Sequence, residues 1–98
     1  MAETIHEYTA RYRDGDAGDA GDGTLYAVLA CGERRDDGMW EGWIEFRPID
    51  PAGLPVRTGR ETTQPNRDAL VYWASGLEPI YFEGAFSRAR YPGVTTPG

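Results

Sequence analysis

Leu70, Trp73, Ala74 and Leu77 recur at the i, i+3, i+4, i+7 spacing that lines one face of an α-helix. The flanking residues mark its ends. Pro65 suits a first helical turn, where its missing N–H costs no intrahelical bond. Asp68 places negative charge near the positive end of the helix dipole. Gly76 suits the position just past the last turn, where left-handed backbone costs glycine little and Leu77 can fold back. Pro79 blocks continuation. A helix with one apolar stripe needs a surface to lie on, so the remaining chain must supply one.

That surface is predicted to be a sheet. In "TIHEYTARYR", His6, Tyr8, Ala10 and Tyr12 alternate with Glu7, Thr9, Arg11 and Arg13, as in a half-buried strand. "TLYAVLAC" is densely apolar and suits a central strand covered on both faces. "MWEGWIEF" is a third strand, with Trp40, Gly42, Ile44 and Phe46 on one face and Glu41, Trp43 and Glu45 on the other. Gly42 within it signals a bulge or another group passing close overhead. The three prolines of "RPIDPAGLP" forbid regular pairing, "VRTGRETT" can form a short edge strand, and "IYFEGAFSRA" is predicted to close the sheet with Ile80, Phe82 and Phe86 on one face.

The fold class is therefore α+β: a small antiparallel sheet of four to five strands, a β-β-β-(β)-α-β meander with one helix packed across a face. A strongly curled version would be an OB-like small open barrel. Residues 1–90 form one domain, with a flexible acidic loop at 14–23 and a flexible C-terminal tail at 91–98. A chain of 98 residues buries roughly 60–68% of its unfolded surface, enough for one modest core.

The net charge of −6 opposes the displacement of counterions from phosphates and argues against nucleic acid. Cys31, the only cysteine, excludes an intrachain disulfide and a cysteine-rich zinc site. No charged and then apolar leader opens the chain, and no run reaches the roughly 20 apolar residues of a membrane span, so cytoplasm is the expected location.

The candidate binding residues cluster around the helix N-terminus. Free N–H groups there attract anions, and Arg57, Arg60 and Arg67 would add guanidinium forks. Thr62, Thr63 or Asn66 can accept from the same N–H groups as a cap, Pro65 leaving the cap position open among them, and Glu61 and Asp68 can absorb the arginines in local ion pairs. Trp43 and Tyr72 offer rings for stacking or for anchoring a partner. Whether Trp40 or Trp43 is the outer tryptophan depends on which sheet face the helix covers.

Other chemistries fare worse. Asp14 and Asp16 begin with calcium-loop spacing, but Gly18 stands where a third oxygen ligand belongs and no suitably placed glutamate follows. Glu41 and Glu45 lie about 13 Å apart along a straight strand, outside both glycosidase windows. His6 is the sole imidazole, and neither Ser75 nor Ser87 sits in a nucleophile elbow. No cofactor or metal is expected, and the residues point away from an enzyme. The expected function is a non-catalytic protein–protein interaction module, with self-association as a homodimer one form of it. The alternative is a binder of a small anionic ligand or single-stranded nucleic acid at the arginine-lined helix N-terminus.

Overall fold

The computed structural model describes residues 1–15 and 21–90; residues 16–20 of the acidic loop and the tail predicted at 91–98 lie outside them. Five strands come first: β1 (Glu3–Arg13), β2 (Leu25–Arg34), β3 (Trp40–Pro48), β4 (Val56–Arg57) and β5 (Thr62–Gln64). Two helices follow, α1 (Arg67–Ser75) and α2 (Pro79–Arg88). Every strand pairing is antiparallel, in the order β1-β2-β3. Since β2 covers one edge of β3 along its whole length, β4 and β5 share the other edge. Among the described residues β1 pairs only with β2, so the sheet is open rather than closed into an OB-like barrel.

β1 alternates as its sequence indicates, but imperfectly. It advances from Thr4 to His6 while β2 moves from Cys31 to Ala30, and from Glu7 to Arg11 while β2 moves from Leu29 to Ala27. Such bulges bend a strand and re-aim its side chains. Ile5 therefore packs on the core together with Tyr8 and Tyr12, whereas Ala10 is exposed. Tyr8 uses that position to donate its hydroxyl to the carbonyl of Ala74 in α1, at 2.6 Å.

The main core lies between one sheet face and the helices: Tyr12, Tyr26, Val28, Ala30, Ile44, Phe46 and Val56 below, Ala74, Phe82 and Ala85 above. Burying these apolar groups is the main drive for docking the helices. β2 is buried on both sides as expected, because Leu29 and Cys31 join Trp43 in a smaller cluster on the opposite face. Thr58 is buried where the chain leaves β4. Its hydroxyl accepts from the Ile44 amide at 3.0 Å and donates to the Gly59 carbonyl at 2.8 Å. A buried polar group is thereby satisfied at a strand end.

α1 forms where its spacing places it. Asn66 is the N-cap, its side chain accepting from the Ala69 amide at 2.8 Å. Pro65 precedes the cap instead of occupying the first turn. Gly76 ends the helix in right-handed backbone, with φ −91°, so glycine's left-handed freedom is not used here.

Residues 79–88 correct the predicted closing strand. They are helical, and Pro79 opens α2 rather than merely stopping α1, since its fixed φ suits a first turn. Phe82, Ala85, Phe86 and Ala89 all pack on the core, while Ile80 is exposed. Among the described residues, two helices thus follow the strands, in place of one between them. Among the described residues, no helix is long and apolar enough to cross a membrane.

Candidate functional site

The helix N-terminus is largely spoken for. Asn66 caps it, and the Nε of Arg67 binds Glu3 Oε1 of β1 at 2.6 Å. Arg60 is exposed, and Tyr72 projects from α1 with 82% of its surface exposed. Arg57 turns elsewhere. It opposes Glu45 across the β3–β4 register, and its guanidinium carbon lies 4.0 Å from the centroid of the Trp43 ring. Of the expected site residues, the structure joins Arg57 to Trp43 and Asn66 to the start of α1 ahead of Arg67.

Trp43 answers the tryptophan question unexpectedly. It is the more buried of the pair, at 3% exposure, on the face that carries the smaller cluster and not the helices. Trp40 is half-buried near β5. Beside Trp43 lies a depression of about 300 Å³ walled by Thr4, Cys31, Glu45, Arg47 and Arg57. Glu45 organises it: Oε1 accepts from Arg47 Nε at 2.8 Å, and Oε2 accepts from Cys31 Sγ at 3.4 Å. Burial pushes the Cys31 thiol up to about 12, and the Glu45 charge and hydrogen bond add to this against the opposing arginines. The thiol stays protonated at neutral pH and is a poor nucleophile.

A second feature runs along the outer edge of β1. His6, Glu7, Tyr8, Thr9 and Ala10 line a groove of about 330 Å³ with Leu77, Pro79 and Phe82 across from them. Successive strand side chains point to opposite faces. Consecutive residues therefore line one groove along the strand's edge, where its backbone is also presented. A further hollow of about 200 Å³, walled by Arg11, Tyr12, Ile80 and Glu83, continues past the shared Pro79 and Phe82. The sequence marks two elements of this groove, β1 and Pro79, but reading 80–89 as a strand removes its far wall.

A broader hollow at the β2–β3 turn is walled by Glu33, Arg34, Arg35, Asp36, Asp37 and Glu41. Arg35 and Asp37 pair there at 3.1 Å, as charges do on a solvated turn. Among the described residues no cluster of histidine, cysteine and carboxylate side chains could hold a metal. His6 lies against Tyr8 with the rings tilted, at 4.6 Å between centroids, and Cys31 engages Glu45. No family model, curated protein or solved structure matches the chain.

Proposed function

We propose that the chain is a non-catalytic interaction module that pairs with a second copy of itself along the outer edge of β1. The observation that carries this reading is the groove in which consecutive β1 residues face Leu77, Pro79 and Phe82. An unpaired strand edge offers a row of backbone donors and acceptors, and an extended chain is the natural complement. Apolar walls beside the edge give the incoming strand's side chains somewhere to go.

The sequence of β1 suits self-pairing about a two-fold axis at Thr9. In that antiparallel register Glu7 of each copy stands opposite Arg11 of the other, and Tyr8 opposite Ala10. Opposite charges directly across strands stabilise, and like charges destabilise, by roughly 0.2–1 kcal/mol per pair. Symmetry supplies the Glu7–Arg11 pair twice. The bulges of β1 blunt the edge against indiscriminate pairing, which leaves charge to select the partner.

Sedimentation of charge variants tests this. Glu7→Arg and Arg11→Glu each replace two attractions by two repulsions and should weaken dimerisation about tenfold or more. The double variant restores both attractions with roles exchanged and should dimerise again. A wild-type chain that stays monomeric at high concentration, or a double variant no better than the singles, refutes the reading.

A further inference from the structure

We propose that the Arg57–Trp43 depression is a binding site for a small organic monocarboxylate. The reading is independent of pairing along β1. Arg57 is held in place by its stack on Trp43 and by the bond from its Nε to the Thr58 carbonyl at 3.1 Å. No acceptor among the described residues takes its terminal N–H groups. These are the pair of donors that a carboxylate meets bidentately.

The neighbouring charges leave that guanidinium unmatched. Glu45 is engaged through both oxygens, by Arg47 and Cys31, and Glu3 at the rim is paired with Arg67. One positive group therefore remains beside the hollow. The Glu45 carboxylate in the same wall penalises a second negative charge on the ligand, which favours a monoanion over a phosphate dianion.

A further observation points to an acceptor. The indole Nε1 of Trp43 is shielded from solvent and has no hydrogen-bond partner among the described residues. Buried donors are nearly always satisfied, so an orphan beside an unmatched cation calls for an explanation. The volume, about 300 Å³, sits at the lower end of small-ligand pockets, and Trp43 and Cys31 give the ligand's carbon skeleton an apolar floor. A free organic acid and the C-terminus of a peptide present the same carboxylate.

Titration followed by the tryptophan indole signals in ¹H–¹⁵N NMR spectra tests the site, with the Trp43 signal assigned through Trp43→Phe. Sodium benzoate should shift that signal saturably, while the Trp40 and Trp73 signals stay still and report an intact fold. Inorganic phosphate should bind at least tenfold more weakly. Arg57→Gln should abolish the benzoate response. Arg57→Lys keeps the charge but loses the fork, and should bind at least fivefold more weakly. Arg60→Gln should respond as wild type. An N-acetylated dipeptide with a free C-terminus, compared with its amide, separates the sources. A saturable shift with the acid form alone extends the site to peptide termini, and a response to benzoate alone restricts it to free acids. No saturable shift with either benzoate or the free dipeptide, or equal shifts in wild type and Arg57→Gln, overturns the proposal.

Discussion

Leu70 occupies the space that a side chain at Gly42 would need: a Cβ there would lie 2.6 Å from Leu70 Cδ1. Gly32 stands opposite Gly42 in the β2–β3 register, and a Cβ on it would also meet Leu70. Two glycines on adjacent strands thus thin the sheet where α1 crosses, and Leu70 fills the hollow with no exposed surface. The close approach signalled by Gly42 in the sequence is the docking of the helix.

This contact gives a coupled prediction. Gly42→Ala forces an extra carbon into packed space and should destabilise the fold by about 1–3 kcal/mol. Leu70→Ala opens a cavity and should cost about 2–5 kcal/mol. In the double variant the smaller residue 70 makes room for the new methyl group, so the combined loss should fall short of the sum. Urea denaturation of the four proteins measures it. Strict additivity would show that Gly42 and Leu70 do not meet.

Glu61 links α2 to the segment before β5. Its Oε1 accepts from the Tyr81 hydroxyl and from Arg88, whose Nε also reaches Oε2 at 3.2 Å. Burial works against the charged carboxylate, but the hydrogen bonds from Arg88 and Tyr81 and the charge of Arg88 outweigh it and hold Glu61 below the usual glutamate range. Burial and the same carboxylate push the Tyr81 phenol up to about 12.

The sign of the pH effect follows from linkage. A carboxylate with a depressed folded-state pKa stabilises above its unfolded value, and the contribution fades as pH falls through the folded one. Glu61→Gln should therefore lower the denaturation midpoint at neutral pH, and the gap to wild type should close as the pH drops below the ordinary glutamate range. A gap that is constant or widens in acid contradicts the link between Glu61 and Arg88.

The two helices show what could be read in advance. α1 is legible because Leu70, Trp73, Ala74 and Leu77 share a stripe and Asp68 lies near its start, while the choice of Asn66 over Thr62 or Thr63 as cap comes from the structure. α2 carries the same spacing in Phe82, Ala85, Phe86 and Ala89. That signal is masked because Ile80, Phe82 and Phe86 also fit period two, Gly84 weakens the helical reading, and Pro79 serves equally as a stop or a start. The candidate sites were less legible. Arg57 and Trp43 were singled out, but their meeting depends on the β3–β4 register across a long loop, which no local pattern encodes. Asn66 and Arg67 were visible as neighbours of the helix N-terminus. Their bonds to Ala69 and Glu3 show them acting as cap and tether.

Backbone pairing along β1 is the central claim, and hydrogen exchange reads it most directly. Amides that enter a new ladder exchange more slowly in proportion to the paired population. Across about a hundredfold rise in protein concentration, peptides covering residues 5–13 should gain protection while those covering α1 stay unchanged. Exchange along β1 that is the same at every concentration, in a protein whose sedimentation shows dimers forming over that range, would place the interface elsewhere; the same exchange with no dimers at all would remove it.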